Sequence, residues 1–345
     1  MKSKESKTRK RSLFGGEDVN EGKRSKQEDL KLAQKMYGDG VSWFRGAMIG
    51  KGSFGRVFVA NLKNLKSRYS LYPPIMAVKS ADVSASGSIQ KEKEVMDNIC
   101  GCGNIIKCFG EEVTTGESGQ MVYNLLLEYG SGGNLADLIK NNGKGLPELD
   151  VRRYARSILH GLSHIHKRGY VHCDLKPQNV MLVTNYEGDF VAKIGDFGLA
   201  KRVKQMRDSY GCWRGTPMYL SPEVVIDGVQ EQPADIWAFG CIVFEMLTGK
   251  PLWFLNQDLG IDEILSRSVD EEGRSFLKKC LCRKVMCRLS ANMLLKHSFL
   301  QGLPDDDDDD IDEVDDSHEV FDINTITSSS SSSLSHDEDD DNGLW

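Results

Sequence analysis

The periodicity of the sequence changes near Gly130, and this change limits the architectures open to the chain. From Trp43 to Gly130 the segments are short, β-rich and separated by turns, and one helical stretch, 89–99, interrupts them. After Gly130 helical periodicity dominates, as in 149–166 and in 236–247, and the latter is apolar enough on all sides to be a buried core helix. This order predicts an α+β fold with a small β-rich N-terminal lobe and a larger helical C-terminal lobe. The predicted strands are 54–60, 75–79, 105–111 and 121–128.

The two ends of the chain differ from its centre in charge and complexity. Residues 1–40 are polar and contain basic clusters at 7–11 and 23–26. Residues 304–345 hold 14 Asp, 3 Glu and no Lys or Arg, a net charge of −17 against −7 for the whole chain, so residues 1–303 carry +10. This tail cannot bury enough apolar surface to offset the entropy lost on ordering. We therefore predict a basic disordered arm (1–40), a folded domain (41–303, with lobes of about 41–130 and 131–303) and an acidic, Ser-rich disordered tail (304–345).

Composition argues against several classes of protein. No stretch approaches ~18 uninterrupted apolar residues, and the N-terminus has no apolar h-region, so neither a membrane span nor secretion is expected. The nine cysteines form no disulfide-like framework, which fits a reduced cytoplasmic or nuclear location. The pairs Cys100/Cys102 and Cys280/Cys282 lack the spacing of a common zinc site, so buried thiols are the preferred interpretation.

The charged ends leave some interactions open. The basic clusters can act as a nuclear localisation signal or contact an anionic partner, although a solvated arm is the preferred interpretation. The tail can fold back on the basic body or dock a basic partner. Because the basic runs lack interleaved aromatic residues and the tail is strongly acidic, nucleic acid is not an expected partner.

Two motifs in the predicted helical lobe carry the residue types of a phosphoryl-transfer site. The run 170–179 contains Asp174, Lys176 and Asn179, and Asp196-Phe197-Gly198 follows it. Asp174 can accept the proton of an attacking hydroxyl, and Lys176 can neutralise the γ-phosphate as charge shifts. Asn179 and Asp196 offer the hard oxygen ligands that Mg²⁺ on ATP prefers. Their joint spacing favours a catalytic role over that of unrelated surface groups.

A glycine-rich loop and a lysine in the predicted β-rich lobe complete the pattern. Gly50, Gly52 and Gly55 let a β-turn lie close over ATP, where side chains would clash. Lys79 follows on the expected neighbouring strand and should clamp the α- and β-phosphates. A glycine-rich loop alone is weak evidence, but four motifs in this order over about 150 residues are not plausibly a coincidence.

Helical spacing selects the glutamate that should hold Lys79. The two candidates are Glu92 and Glu94. Positions three, four and seven residues after Glu92 are all apolar, whereas those after Glu94 are Asp, Asn and Gly. Since a glutamate that faces the site should lie on the packed face of its helix, we predict Glu92.

These motifs together resemble those of protein kinases. The run 174–177 and the segment 215–223 are similar to serine/threonine kinases rather than tyrosine kinases. The resemblance covers about 41–303 and is greatest to plant MEKK-like MAP kinase kinase kinases, on the segments 43–55, 171–174, 215–224, 288–291 and 297–300. It implies the two-lobed kinase fold, ATP and Mg²⁺ as cofactors, and a MAP kinase kinase as the protein substrate.

The resemblance also implies roles for individual residues. Thr216 should support Asp174 and Lys176, Glu223 should pair with Arg288, and Asp235 should brace the catalytic loop. The implied catalytic residues are Asp174, Lys176, Lys79, Glu92 and Thr216, and the implied metal ligands are Asn179 and Asp196. The implied nucleotide-binding residues are Ile49, Gly50, Gly52, Ser53, Phe54, Gly55, Val57, Ala77, Lys79, Leu127, Glu128 and Gly130, the last two through their backbone.

One residue departs from the kinase pattern, and two alternatives stay open. Most kinases that are switched by activation-loop phosphorylation have Arg before the catalytic Asp, and this chain has Cys173, which cannot make that charge-assisted contact. We therefore do not expect activity to depend on a phosphate in the 199–215 loop. The alternatives are a serine/threonine kinase with an unrelated substrate and a nucleotide-binding pseudokinase scaffold.

Overall fold

The computed structural model describes residues 31, 35–52, 54–63, 72–203, 213–254, 263, 265 and 269–303. Ser53, the predicted acidic tail and most of the predicted basic arm lie outside the described residues.

The described part of the N-terminal lobe contains five antiparallel strands and a helix of 12 residues. The strands are β1 (Trp43–Gly52), β2 (Gly55–Leu62), β3 (Ile75–Asp82), β4 (Cys108–Thr115) and β5 (Met121–Leu127), in the sheet order β1-β2-β3-β5-β4. The helix, α1 (Gly87–Asn98), buries Ile89, Glu92, Val95 and Met96. Successive members of this set are three, three and one positions apart, so they share one face, which packs toward the sheet and the second lobe.

A buried cation, Arg45, lies on one face of the five-stranded sheet. The Tyr37 ring, from the segment before β1, packs on Phe58 with 5.2 Å between ring centroids. Arg45 is fully buried beside them, and its guanidinium donates to Ser80 Oγ and Asn124 Oδ1 at 2.8 Å each. Burial lowers the pKa of Arg45 to about 10, although nearby acidic groups oppose that effect. The segment before β1 is therefore part of the packed lobe.

Helices dominate the C-terminal lobe. They are α2 (Leu135–Asn142), α3 (Glu148–Lys167), α4 (Pro222–Asp227), α5 (Gln232–Thr248), α6 (Glu271–Cys280) and α7 (Ala291–Leu294). Two small antiparallel pairs accompany them, β6 (Tyr170–Val171) with β9 (Lys201–Arg202) and β7 (Val180–Thr184) with β8 (Phe190–Ile194). Every residue of α5 from Ala234 to Phe244 is buried, as expected for a core helix. The predicted two-lobed α+β fold is confirmed.

One predicted strand begins later than its sequence suggests. The stretch 105–111 is apolar at its start, but β4 begins only at Cys108. Ile105 instead forms a parallel bridge with Ile194, and the Ile106 N–H donates to Ile194 O at 2.9 Å. These residues connect the two lobes rather than extend the sheet.

Within the described residues, none of the helices has the length and apolar character needed to span a bilayer.

Candidate active site

Three elements meet at the ammonium group of Lys79. Lys79, on β3, lies 2.6 Å from Glu92 Oε2 on α1 and 2.7 Å from Asp196 Oδ1 after β8. The other oxygen of Glu92 accepts the Phe197 N–H at 3.2 Å. Glu92 is 1 % exposed, whereas Glu94 is exposed to solvent. The glutamate chosen from helical spacing is thus the one that contacts Lys79.

Electrostatic interactions within this cluster favour the charged forms of Lys79 and Asp196. Burial works against a charge on Lys79, but Glu92 and Asp196 outweigh it and raise the pKa of Lys79 above its ordinary value. Burial likewise opposes ionisation of Asp196, and Lys79 outweighs it, so the pKa of Asp196 is lowered. Burial raises the pKa of Glu92, and the contact with Lys79 opposes that rise. Lys79 and Asp196 are therefore both ionised at neutral pH.

A second hydrogen-bonded group forms around Asp174 in the loop after β6. Lys176 Nζ lies 2.7 Å from Asp174 Oδ2 and 2.9 Å from Thr216 Oγ1. The Thr216 hydroxyl donates to Asp174 Oδ1 at 2.8 Å. Asn179 donates from Nδ2 to the main-chain oxygen of Asp174 at 2.9 Å. Both oxygens of the Asp174 carboxylate are thus oriented by neighbours, as a general base requires.

Asp235 holds the main chain of this loop from α5. Its carboxylate accepts the His172 N–H at 2.8 Å and the Cys173 N–H at 3.0 Å. The His166 ring lies 2.9 Å from the same carboxylate. Asp235 is 2 % exposed, so these main-chain and ring contacts are shielded from water. The loop that carries Asp174 is therefore anchored to the core helix.

His172 is a supporting residue that sequence reasoning missed. Its Nε2 donates to Gly195 O at 3.1 Å, and its Nδ1 accepts the Asp174 N–H at 3.3 Å, which fits a proton on Nε2. Its ring packs edge-on against Phe197 with 5.0 Å between centroids. His172 thereby links the loop of Asp174 to the segment of Asp196, and its place within the 170–179 run is the signal that could have identified it.

Cys173 is a packed thiol in this structure. It is 6 % exposed, and its Sγ lies 3.6 Å from Val171 O. Burial raises the pKa of the Cys173 thiol, with Asp235 adding to the effect, so the group is protonated at neutral pH. A buried, protonated thiol is a poor target for oxidation and cannot replace an arginine in binding a phosphate.

The three loop glycines serve different purposes. Gly55 has φ of +155°, and a Cβ there would lie 2.7 Å from Ser80 O, so the fold itself requires glycine. A Cβ at Gly50 would be no closer than 3.7 Å to the neighbouring protein atoms, and one at Gly52 no closer than 3.9 Å. The described part of the fold therefore leaves room for a side chain at Gly50 and Gly52, so protein packing there does not account for glycine at either position. The Phe54 ring is 3.5 Å from the Cβ position of Gly198, so the loop tip lies above the Asp196 segment.

The strand register brings Val57, Ala77 and Leu127 to one face of the sheet. Val57 pairs with Lys79, and Ala77 pairs with Leu127, so these side chains share the face opposite Arg45. Ile49, on β1, is 48 % exposed. Lys79 is on this same face and pairs with Val57, so these apolar side chains lie beside the ammonium group described above.

The segment that connects the lobes lies at the edge of this face. Glu128 follows β5. Its carboxylate forms an ion pair with Lys193 at 2.8 Å and accepts a hydrogen bond from the Lys107 N–H at 3.0 Å. A Cβ at Gly130 would lie 2.9 Å from the Met181 side chain. Met181, on β7, was missed by sequence reasoning because a lone methionine carries no motif. It approaches the connecting segment from the C-terminal lobe.

A buried ion pair secures the segment after Thr216. Arg288 contacts both carboxylate oxygens of Glu223, at 2.6 and 3.0 Å, and also donates to Pro233 O at 2.7 Å. Burial opposes ionisation of Glu223, but the hydrogen bonds from Arg288 and its other donors outweigh it and lower the pKa of Glu223. The pair fixes α4, which begins just after the Thr216 segment, against the C-terminal lobe.

The donor set of the site fits magnesium on a nucleotide. Because Asn179 Nδ2 is bonded to Asp174, its amide oxygen is the atom left for a metal. Asp196 supplies one ionised carboxylate, of which only Oδ1 is bonded to Lys79. Among the described residues no group of three or more His, Cys, Asp and Glu side chains could hold a metal by itself. Two protein ligands plus phosphate oxygens is the arrangement that Mg²⁺ commonly takes with ATP.

The comparisons with known proteins agree with this geometry. The family model for the protein kinase domain matches residues 43–300. Mitogen-activated protein kinase kinase kinase 20 of Arabidopsis thaliana is 41% identical over 285 residues, which cover 77% of this chain and 80% of that protein. Kinase kinase kinases 17 and 18 of the same plant are 36% and 34% identical, over 77% and 75% of this chain and 71% and 78% of their own lengths.

The fold and the paired clusters at the junction of its lobes define a protein kinase. The chain belongs to the protein kinase family, as a serine/threonine kinase most like the MEKK-type MAP kinase kinase kinases.

Proposed function

We propose that this kinase transfers the γ-phosphoryl group of ATP to serine or threonine hydroxyls of MAP kinase kinases, with Mg²⁺ as the metal. The observation that carries the proposal is the double contact of Lys79 with Glu92 and Asp196. It joins the helix α1, the strand β3 and the metal-binding segment in one arrangement, which a kinase needs for phosphoryl transfer. This complete set argues against the pseudokinase alternative.

The residues divide the chemistry between them. Asp174 accepts the proton of the attacking hydroxyl, and Lys176 and Thr216 hold its carboxylate in place. Lys176 also places a positive charge where the transferred phosphoryl group gathers negative charge. ATP supplies that group, and magnesium neutralises the charge of its phosphates. Asn179 and Asp196 would hold the metal, and Lys79 would orient the α- and β-phosphates.

The adenosine moiety would lie against the face of the sheet that is opposite Arg45. Ile49, Val57 and Ala77 would enclose the base from the N-terminal lobe, and Met181 from the C-terminal lobe. The backbone of Glu128 and Gly130 would form the hydrogen bonds to adenine, with Leu127 at the back. Phe54 would lie at the loop tip over the phosphates, and the role predicted for Ser53 concerns a residue outside the described part of the chain. Because the Glu128 side chain already contacts Lys193 and the Lys107 N–H, its backbone is the part that would contact adenine.

The substrate assignment depends on the relatives. Three of them, named as MAP kinase kinase kinases, cover three quarters of this chain at 34–41% identity. A kinase of this name phosphorylates a MAP kinase kinase, and we extend that substrate class to this chain. We also propose that the chain acts in the cytoplasm, in the nucleus or in both.

A radiolabelled ATP assay with magnesium tests the proposal. The full chain and its Asp174→Asn variant are given catalytically inactive MAP kinase kinases and a generic basic protein. Asp189→Asn is a matched control, because the ion pair that its side chain forms among the described residues is with the partly exposed Arg153, at 3.4 Å. We expect selective transfer to a MAP kinase kinase on serine or threonine, lost in Asp174→Asn and retained in Asp189→Asn.

Other outcomes separate the alternatives. Transfer to the generic protein alone would remove the cascade assignment and leave a serine/threonine kinase of another substrate class. ATP binding without any transfer would contradict the catalytic proposal and favour the scaffold.

A further inference from the structure

The backbone at Cys173 adopts a conformation that needs support. Its φ is +69°, and among the described residues it and Asp196 are the two non-glycine positions with positive φ. Such a conformation is strained for a residue with a side chain and persists only where neighbours determine it. Asp235 holds the Cys173 N–H, as described above. The carbonyl of the same residue is held by a different side chain, Gln230, whose Nε2 donates to it at 3.2 Å.

Gln230 also holds the segment that carries Thr216. It lies between α4 and α5 and is 6 % exposed. Its Nε2 donates to Arg214 O at 2.9 Å, and its Oε1 accepts the Arg214 N–H at 3.4 Å. With the contact to Cys173, the amide uses two donors and one acceptor, all on main-chain groups. Only a side-chain amide of this length supplies that set, since a carboxylate has no donor and an apolar side chain has neither.

The contact brings the two catalytic segments together. Gly215, next to Arg214, has φ of +109°, and a Cβ there would lie 2.4 Å from Cys173 O. The backbone of Gly215 therefore lies directly against the carbonyl that Gln230 holds. The next residue, Thr216, is the one that donates to Asp174. A shift of Arg214 relative to Cys173 would thus displace Thr216 from Asp174.

We propose that Gln230 is a positioning residue that fixes the position of the Thr216 segment relative to the loop that carries Asp174. It acts through main-chain hydrogen bonds of a neutral amide, so this connection needs no phosphate and no cysteine side-chain contact. It explains how the Asp174 carboxylate stays oriented in a chain whose Cys173 side chain cannot bind a phosphate. The inference rests on the proposed phosphoryl transfer for its kinetic test, but its structural part can be measured separately.

The test compares Gln230→Leu with Gln232→Leu in the full chain. Gln232 is a matched control, because its amide donates to a main-chain carbonyl as well, that of His166 at 2.8 Å, away from the Thr216 segment. The first measurement is kcat and the KM for ATP with a protein substrate. The second is hydrogen exchange of the peptide that covers 213–216, without nucleotide.

We expect Gln230→Leu to lower kcat by about 10- to 100-fold, as small misplacements of catalytic groups do. The KM for ATP should stay within about twofold, because the residues that would bind its phosphates and base lie mainly in the N-terminal lobe. Exchange at 213–216 should become faster, while Gln232→Leu should match the wild type in both measurements.

Wild-type kcat in Gln230→Leu would overturn the proposal. So would unchanged exchange at 213–216, or an equal loss of kcat in Gln232→Leu, since general destabilisation would then be the cause. If the wild-type chain transferred no phosphate at all, the proposed function would fail, and faster exchange in Gln230→Leu alone would still support the positioning contact.

Discussion

Two glycines of the same loop should respond to alanine substitution with opposite changes in stability. At Gly55 the added Cβ would lie 2.7 Å from Ser80 O and 3.0 Å from Ile89 Cδ1, on a backbone with φ of +155°. Strain of this kind costs about 2–3 kcal/mol. For a domain of this size that corresponds to a fall in Tm of about 4–12 °C.

The alanine substitution at Gly52 is expected to stabilise the protein, in contrast to the one at Gly55. The φ of Gly52 lies outside the positive range, and the nearest described atom beyond its chain neighbours, Gly55 O, would be 3.9 Å from the Cβ, so that part of the structure does not oppose a methyl group. Gly52→Ala should therefore stabilise the nucleotide-free protein by about 0.4–1 kcal/mol, because alanine reduces the entropy of the unfolded chain. If the backbone of Gly52 lies against phosphates, the same change should weaken ATP binding by about tenfold, which is about 1.4 kcal/mol.

Thermal unfolding without nucleotide and calorimetric titration with magnesium ATP measure these effects in one set of proteins. Gly52→Ala with wild-type ATP affinity would refute the argument that this glycine leaves room for a nucleotide. Gly55→Ala with wild-type Tm would refute the close approach to Ser80. The pair is informative because a general loss of folding cannot produce a stabilised variant with impaired binding.

Two further predictions concern buried charges. Arg45→Ala removes hydrogen bonds to Ser80 and Asn124 and should lower the free energy of unfolding by at least about 3 kcal/mol, measured by denaturant titration, and an unchanged value would contradict a structural role for this cation. Because the pKa of Glu223 is lowered, its ion pair with Arg288 contributes fully above the ordinary carboxyl pKa of 4.5 and is lost as the pH falls through the lowered value. Glu223→Gln should lower the free energy of unfolding by about 3 kcal/mol at pH 7, and the variant should lose less stability than the wild type as the pH falls below 4.5. If stability below pH 4.5 fell equally in the variant and the wild type, this role of the ion pair would be refuted.

The sequence predicted the parts of the site that depend on local pattern. Spacing within one helix distinguished Glu92 from Glu94, because a buried face repeats every three or four residues. The start of β4 was predicted too early, because the apolar residues Ile105 and Ile106 pair with Ile194, far away in the chain. Gln230 was not predicted for a similar reason, since its partners are main-chain groups whose positions depend on tertiary folding.

The contacts of Cys173 and Asp196 explain why the site depends on residues outside its motifs. Each of the two has a positive φ, and each is held by side chains from other elements, Cys173 by Asp235 and Gln230, and Asp196 by Lys79. A strained residue of this kind carries about 1–3 kcal/mol that the supporting contacts must offset. That amount is small beside the packing of a core helix such as α5, but it is enough to change the population of the catalytic conformation by about 5- to 150-fold. Loss of one support should therefore reduce turnover well before it reduces the fraction of folded protein, and turnover is the more sensitive measure of these contacts.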